Sequence, residues 1–274
     1  MTFHKHLITA SLVAYFFITQ AVAQINNTEP IFYPITEQNG LSDDVVTCFF
    51  QDSRNFMWIG TQDGLNIYDG SVFKIYRASN NKSRDELADN LINTVAEDAH
   101  KHIWIGTSNG LSMYDMSSGD IHTWRIDSTE NREDKNNIRR LIIDSNEKIW
   151  LATASGLCRF DQETGRFKVF RVGSIQKDEF SRTNNILVDV LIDHQNRFWI
   201  ATFNGLWRFF PGDGHFEQYI RSNDVTPAQG LITKIYQDHE GQLWLGFWSG
   251  GLKRFDPDTK TIKNFQPLMK RMGK

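Results

Sequence analysis

The stretch from Trp58 to Asp69, WIGTQDGLNIYD, recurs in four variants along this chain of 274 residues. The variants read WIGTSNGLSMYD from Trp104, WLATASGLCRFD from Trp150, WIATFNGLWRFF from Trp199 and WLGFWSGGLKRFD from Trp244. The five tryptophans are 46, 46, 49 and 45 residues apart. Self-similarity at a nearly fixed period of this length predicts a repeat architecture, in which each unit packs against the next.

Each repeat contains four short segments with the composition of β-strands. In the first repeat, residues 45–50 and 57–61 are predicted as strands a and b, and residues 65–68 and 72–76 as strands c and d, because β-branched and aromatic residues are frequent in them. The connections are turns rich in Asp, Asn, Ser and Gly, so consecutive strands are expected to pair antiparallel. The sequence therefore predicts an all-β fold, a β-propeller with five visible four-stranded blades.

Three positions recur in every repeat, and repetition favours a structural role for them over a catalytic one. The tryptophans are expected in the core between blades, since a blade cannot bury its face without a neighbour. An aspartate six residues before each tryptophan can accept backbone N–H bonds at a turn, and a glycine six residues after it can supply a positive φ. The set comprises Trp58, Trp104, Trp150, Trp199 and Trp244; Asp52, Asp98, Asp144, Asp193 and Asp238; and Gly64, Gly110, Gly156, Gly205 and Gly250.

The N-terminal segment has the pattern of a secretory signal peptide. A short basic start at His4, Lys5 and His6 is followed by a mostly apolar run over 7–18 and by the small-residue cleavage pattern of residues 21–23. The apolar run is shorter than the roughly 20 residues of a membrane span, so we expect cleavage and an exported, periplasmic protein. The predicted organisation is a signal peptide over 1–23, an N-terminal segment with a lone outer strand over 24–36, five propeller repeats over 37–270 (about 37–77, 78–125, 126–171, 172–220 and 221–266), and a tail over 267–274.

Composition argues against two classes of partner. The formal net charge is −3 and becomes −4 when Lys5 leaves with the signal peptide, whereas a nucleic-acid surface needs clustered positive charge. Beyond the signal peptide, no segment is long and apolar enough to cross a membrane. Cys48 and Cys158 lie two blades apart, so no disulfide is expected. No metal-ligand cluster stands out, and neither a metal nor a cofactor is predicted.

The stretch from Leu41 to Arg77, whose centre reads VVTCFFQDSRNFMWIGTQDGLNIYDG, resembles the two-component regulator propeller repeat. The resemblance covers residues 32–266 and recurs five times. That family builds the periplasmic sensors of hybrid two-component systems, best known from Bacteroidetes, and the resemblance implies signal transduction through carbohydrate sensing, with oligosaccharides as ligands. Family members also carry more blades, an immunoglobulin-like domain, a membrane helix, a histidine kinase and usually a receiver and a DNA-binding domain. Nothing in this chain resembles those domains, so only the sensing or binding part carries over.

The strand count is uneven. Residues 31–35 look like a fourth strand without a blade, and Pro34 is tolerated there because an outer strand is an edge. The fifth repeat already has a fourth strand at 262–265, so one strand is in surplus. We therefore expect an incomplete part of a larger propeller, missing some blades and prone to self-association. The alternative is a compact five-bladed ring with a displaced end strand.

The turns between strands b and c differ from one another where the rest of the repeat is constant. These b–c turns share one face with the long d–a connections, and binding residues concentrate on variable loops held by a rigid scaffold. Aromatic side chains beside amides and carboxylates suit a sugar. The alternative is that these aromatic residues, and Trp207 on strand c, pack against a loop instead. The predicted ligand-binding residues are Gln62, Asp63, Ser108, Asn109, Phe203, Asn204, Trp248 and Ser249.

Three classes of function remain open. A periplasmic sensor or carbohydrate-binding propeller follows from the family resemblance, and an exported protein-interaction scaffold is the alternative because fold alone does not determine function. The third class is a glycan-acting propeller enzyme. Residues 238–244, DHEGQLW, faintly resemble the aspartate box of sialidases but lack its serine. No Ser-His-Asp arrangement or unique carboxylate pair stands out, so no catalytic residue and no enzymatic activity are predicted.

Overall fold

The computed structural model describes residues 32–79, 86–126, 135–172, 185–221 and 231–265. Within these ranges the chain forms twenty strands and one short 3-10 turn at Glu37–Asn39. Blade one comprises β1 (Val46–Gln51), β2 (Met57–Thr61), β3 (Gly64–Tyr68) and β4 (Phe73–Tyr76). Blade two comprises β5 (Ile92–Glu97), β6 (Ile103–Thr107), β7 (Gly110–Tyr114) and β8 (Ile121–Trp124). Blade three comprises β9 (Ile138–Ile143), β10 (Ile149–Thr153), β11 (Gly156–Asp161) and β12 (Arg166–Phe170).

Blade four comprises β13 (Leu187–Ile192), β14 (Phe198–Thr202), β15 (Gly205–Phe210) and β16 (His215–Arg221). Blade five comprises β17 (Ile232–Gln237), β18 (Leu243–Phe247), β19 (Gly251–Asp256) and β20 (Thr261–Phe265). Each blade is one four-stranded sheet whose strands follow chain order, and every pair is antiparallel. The prediction of an all-β propeller with five visible four-stranded blades is thus confirmed.

The blades pack face to face in chain order. Their first strands contact one another in the sequence β1, β5, β9, β13 and β17. Between blades one and two, Trp58 and Leu65 of the first blade are buried against Ile92, Val95 and Ile105 of the second. Each internal interface therefore joins the tryptophan side of one blade, its rear face, to the opposite side of the next blade, its front face.

The front face of blade one and the rear face of blade five do not have such a partner among the described residues. Phe49 on β1 is 75% exposed, whereas the residues at the same position in the other blades, such as Leu141 and Val190, are buried. On blade five, Tyr236 and Phe265 are exposed, and Trp244 is less buried than the other four repeat tryptophans. Two apolar sheet faces that complement each other in chemistry are thus left uncovered.

The predicted lone strand over 31–35 is not formed in its described part. Residues 32–36 are irregular, and the side chains of Phe32 and Tyr33 are exposed. The fourth-strand position of blade five is filled by β20, which comes from the fifth repeat itself.

Several sequence predictions fall outside the described residues. These are the signal peptide over 1–23, most of the d–a connections, and the tail over 267–274. Across the described ranges, no helix combines the length and the apolar character needed to cross a membrane.

The uncovered faces lead to a prediction about self-association. The mature chain is expected to associate in a concentration-dependent way, because the rear face of blade five in one copy can pack against the front face of blade one in another. Sedimentation velocity over a wide range of protein concentrations measures this. Phe49→Asp should weaken the association, whereas Val72→Asp, a charge placed on an exposed residue after the c–d turn of the same blade, should not. A concentration-independent monomer would contradict the prediction.

Candidate functional site

The recurring aspartates close the turns between strands a and b. In blade two, Oδ1 of Asp98 accepts hydrogen bonds from the backbone N–H groups of His100 and His102, both at 2.9 Å, and Oδ2 accepts one from Nε1 of Trp104 at 2.8 Å. The same three bonds recur in the other four blades. Each carboxylate therefore ties a turn to the repeat tryptophan, which in the first four blades fills the interface with the next blade.

In blades two, four and five these bonds also lower the pKa of the aspartate. Burial opposes ionisation of Asp98 and Asp193, but hydrogen bonds from the tryptophan and the turn outweigh it and leave the pKa of each below its ordinary value. Asp238 is half-buried, and the hydrogen bond from Trp244 is the main reason that its pKa is lowered. A carboxylate that is ionised and already fully bonded cannot act as a general acid.

The recurring glycines begin strand c and adopt backbone conformations that side chains disfavour. Gly64, Gly110, Gly156 and Gly205 have φ values of 130°, 142°, 128° and 118°. Blade five is different, because Phe247 pairs with Gly251 and it is Gly251, with φ of 70°, that takes this role. The assignment of Gly250 to the repeated structural position is therefore corrected to Gly251, since the fifth b–c turn is one residue longer.

A threonine holds the b–c turn in the first four blades. In blade one, Oγ1 of Thr61 donates to the carbonyl of Gly64 at 3.0 Å and accepts from the N–H of Asp63 at 3.1 Å. Thr107, Thr153 and Thr202 make the same pair of bonds. Phe247 takes the place of this threonine in blade five, so the turn that carries Trp248 is built differently.

Most of the polar residues predicted to bind ligand already have partners within the protein. Asp63 forms an ion pair with Arg77 at 3.0 Å and accepts a hydrogen bond from Asn90 at 3.1 Å. Oδ1 of Asn109 lies 3.5 Å from Nδ2 of Asn136. Of the remaining polar residues, Gln62 and Ser249 are exposed and Ser108 is half-buried. The backbone carbonyl of Asn204 accepts a hydrogen bond from the side chain of Gln218.

The aromatic residues of the b–c turns differ in exposure. Trp248 is 76% exposed, while its backbone N–H is fixed by a 3.0 Å hydrogen bond to the carbonyl of Leu231. Phe203 is half-buried, and the guanidinium of Arg139 in blade three lies over its ring at 5.5 Å. Trp207 packs against the core between blades three and four, and therefore belongs to that core rather than to a binding surface.

The first strands of successive blades contact one another, and we call the inner side that they form the central channel. One level of this channel carries charge, which sequence reasoning missed. Five residues on the first strands of the blades occupy equivalent positions, because each pairs with a small residue on the second strand: Cys48 with Gly60, Thr94 with Gly106, Arg140 with Ala152, Asp189 with Ala201, and Lys234 with Gly246. We call these five residues, Cys48, Thr94, Arg140, Asp189 and Lys234, the channel ring. Each stands ten residues before a repeat tryptophan, and this repeated position is the signal that could have identified them.

Asp189 is the anionic member of the channel ring and is only 2% exposed. Its Oδ1 accepts from the N–H of Val190 at 3.0 Å, and its Oδ2 accepts from the N–H of Ile235 at 2.9 Å. Lys234 lies 3.2 Å from Oδ2, and Nε of Arg140 lies 3.5 Å from Oδ1. A buried carboxylate is therefore fully bonded and flanked by two cations.

Three clefts in the described part of the chain lie on the side of the a–b and c–d turns, opposite the b–c turns. A cleft of about 270 Å³ between blades one and two is lined by Phe56, Ile67, Phe73 and Tyr114. A second cleft, between blades three and four, is lined by Trp150, Arg159 and Phe198, and a third lies on blade five. The predicted binding face is therefore an exposed surface of turns rather than one of these clefts.

The cysteines do not form a disulfide. Cys48 and Cys158 are both free thiols. Burial raises the pKa of Cys158 to about 12 and also raises that of Cys48, so neither is an activated nucleophile. Across the described ranges, no group of three or more His, Cys, Asp or Glu side chains is placed to hold a metal ion.

Comparisons with known proteins agree with this architecture. The sequence profile described as Two component regulator propeller matches residues 40–63 and 86–109. A histidine kinase of Formosa agariphila is 45% identical over 51 residues, which are 19% of this chain and 4% of that protein. The chain thus spans a small part of this relative.

Two solved structures show the same fold at low sequence identity. The extracellular domain of a putative hybrid two-component system from B. thetaiotaomicron superposes with a TM-score of 0.69 at 21% identity, over 85% of this chain and 31% of that one. PorZ, a surface component of the type-IX secretion system of Porphyromonas gingivalis, superposes with a TM-score of 0.57 at 15% identity, over 80% of this chain and 33% of that one. The chain spans about a third of each of these structures.

Proposed function

This chain carries two-component regulator propeller repeats, and from that premise we propose that it is a periplasmic sensor propeller that binds an oligosaccharide on the face of its b–c turns. The family match supports a sensing role, since that profile describes propellers of two-component regulators. The kinase output belongs to the much longer relative, of which this chain matches 4%. Binding of a signal molecule is therefore the part of the activity that we assign to this chain.

The observation that carries the proposal is the exposed indole of Trp248 on a turn that the blade holds in place. An aromatic ring on a rigid support suits a sugar, because it offers an apolar face without losing much conformational entropy on binding. Blade four presents Phe203, and the guanidinium of Arg139 lies over its ring. The exposed amide of Gln62 on the same face can supply hydrogen bonds to sugar hydroxyls.

We place the protein in the periplasm on two grounds. The N-terminal pattern over 1–23 is typical of a secretory signal peptide. The B. thetaiotaomicron structure that shares the fold is an extracellular domain. A polysaccharide fragment reaches this compartment before it reaches the cytoplasm, so the location fits the proposed ligand.

A second candidate function is a protein-interaction propeller. It is favoured by the uncovered apolar faces of blades one and five, where Phe49 and Tyr236 are exposed. This alternative predicts that the protein binds another polypeptide through its sheet faces and binds no glycan through its turns.

The proposal predicts that Trp248→Ala weakens oligosaccharide binding by about tenfold, because loss of one stacked aromatic ring costs roughly 1–1.5 kcal/mol. Isothermal titration calorimetry with a panel of oligosaccharides from plant and microbial polysaccharides, using the mature chain, measures the effect. Tyr236→Ala is the matched control, since Tyr236 is another exposed aromatic residue of blade five but lies on β17 rather than on a turn. Equal affinities of wild type and Trp248→Ala would remove Trp248 from the site, and absence of binding to the whole panel would favour the second candidate function.

A further inference from the structure

The channel ring carries more positive charge than its single carboxylate can neutralise. Two of its members, Arg140 and Lys234, are cations, one member, Asp189, is an anion, and Cys48 and Thr94 are neutral. Asp189 is buried and already accepts two backbone hydrogen bonds, whereas Arg140 and Lys234 are about half exposed, with side-chain exposures of 41% and 58%. One positive charge is thus left in excess at this level of the channel.

Arg140 also has an unused hydrogen-bond donor. Its Nε is buried and has no hydrogen-bond partner, because the 3.5 Å contact with Asp189 is an ion pair of poor hydrogen-bond geometry. Nε itself is enclosed, so the exposed part of this half-exposed side chain lies elsewhere. Because Asp189 holds the guanidinium without a good hydrogen bond, the guanidinium remains suited to an added oxyanion.

The two cations lie beside the same carboxylate, that of Asp189. Arg140 and Lys234 stand on blades three and five, and both also favour ionisation of the Cys48 thiol on blade one, although burial raises its pKa on balance. Arg139, the residue before Arg140, reaches the b–c turn of blade four by stacking over Phe203. The positive level of the channel is thus connected to the proposed sugar-binding face.

We propose that Arg140 and Lys234 form an anion-binding subsite in the central channel that receives an acidic group of the oligosaccharide, either the carboxylate of a uronic acid or a sulfate ester. This inference rests on the proposed function and deepens it, since it assigns the ligand to the acidic polysaccharides. Arg140 supplies a planar donor group suited to an oxyanion, and Lys234 supplies a point charge on its other side. Asp189 acts as a positioning residue, because its carboxylate lies between the two cations and attracts both.

The first experiment separates acidic from neutral sugars. Oligogalacturonates, their carboxyl-reduced neutral counterparts and sulfated galactan oligosaccharides are titrated into the mature chain by calorimetry. We expect the wild type to bind at least one acidic series about tenfold or more tightly than the neutral one, and Lys234→Met to lose that preference. Lys263→Met, which removes a cation from the exposed strand β20, is the matched control and should bind like the wild type. The series that binds distinguishes a carboxylate from a sulfate.

The second experiment does not depend on the identity of the sugar. The midpoint of thermal unfolding is measured in sodium sulfate and in sodium chloride at equal ionic strength, because sulfate also stabilises proteins in general. Sulfate should raise the midpoint of the wild type and of Lys263→Met more than that of Lys234→Met and of Arg140→Met. Arg140→Met is the second variant, and it leaves Asp189 bonded to Lys234 and to two backbone N–H groups.

The outcomes separate the subsite from the proposed function. Equal stabilisation of all four proteins by sulfate would overturn the anion subsite, even if neutral oligosaccharides bind to the turns. Acidic sugars binding no more tightly than their neutral counterparts would overturn it as well. Selective loss of the sulfate effect in Lys234→Met and Arg140→Met, together with no binding of any glycan, would support the subsite and contradict the oligosaccharide function.

Discussion

Replacing Trp104 with alanine is expected to lower the free energy of unfolding by about 3–5 kcal/mol, the usual cost of removing a fully buried aromatic side chain. Trp104 is 2% exposed and lies between blades two and three. Its ring contacts Trp124 at 5.8 Å and Phe160 at 5.7 Å between ring centroids. The change therefore leaves a cavity at an interface that joins two blades.

The same substitution also removes a hydrogen bond on which a turn depends. Nε1 of Trp104 donates to Asp98 at 2.8 Å, and the same carboxylate holds the backbone of the a–b turn. Oδ2 of Asp98 keeps its 3.0 Å contact with Nδ1 of His102, but Asp98 is almost fully buried, so water cannot readily replace the lost indole donor. Loss of packing and loss of the bond therefore act in the same direction.

Urea unfolding followed by circular dichroism measures this effect, with the slope of the transition reported beside the midpoint. Trp248→Ala is the matched control, because Trp248 is a tryptophan of the same chain with most of its surface in solvent, and its loss should change stability by less than about 0.5 kcal/mol. A Trp104→Ala protein as stable as the wild type would show that the repeat tryptophans do not form the core between blades.

Replacing Gly205 with alanine is expected to cost roughly 2–4 kcal/mol, from backbone strain and overpacking together. Gly205 has φ of 118°, a conformation that side chains disfavour. An added Cβ would also lie 1.9 Å from the carbonyl oxygen of Ile220 on the neighbouring strand β16. Because that oxygen belongs to the backbone, β15 and β16 must move apart to make room.

Two control variants separate the strain from the clash. Gly251→Ala occupies the corresponding position of blade five, where φ is 70° and no atom lies within 4 Å of the added carbon, so it should show the cost of strain alone. Gly212→Ala adds a carbon in open space without a positive φ and should be nearly neutral. Thermal unfolding of the three variants measures their order of stability. A Gly205→Ala protein no less stable than Gly251→Ala would contradict the close approach of β15 and β16.

The sequence predicted the strands of each blade closely, because its signals are local. Strands b and d of the first repeat were expected at 57–61 and 72–76, and they form at Met57–Thr61 and Phe73–Tyr76. Alternating apolar residues and turn residues act within a few positions of the chain, so they are readable without tertiary structure. The glycine of the fifth turn shows the limit of this approach, because equal spacing pointed to Gly250 while strand pairing selects Gly251.

The features that the sequence did not reveal depend on contacts between residues far apart in the chain. The segment over 31–35 has strand composition, yet its described residues form no strand, since a strand also requires a partner strand to receive its ladder hydrogen bonds. The channel ring was overlooked because its members are 45 to 49 residues apart, and only the stacking of blades brings Arg140, Asp189 and Lys234 together. Several polar residues chosen as ligand contacts, such as Asp63, have partners that no single repeat reveals.

The sequence by itself therefore determined the repeat, its four antiparallel strands and the structural roles of the tryptophan and the aspartate, since these depend on hydrophobic burial and hydrogen bonding that every repeat encodes locally. Only the tertiary structure decided which side chains share the channel, which turn residues are exposed and which faces of blades one and five have no partner among the described residues. The physical reason is that burial and charge proximity depend on the packing of blade against blade. Lys234 and Arg140 are 94 residues apart in the chain, and both flank Asp189.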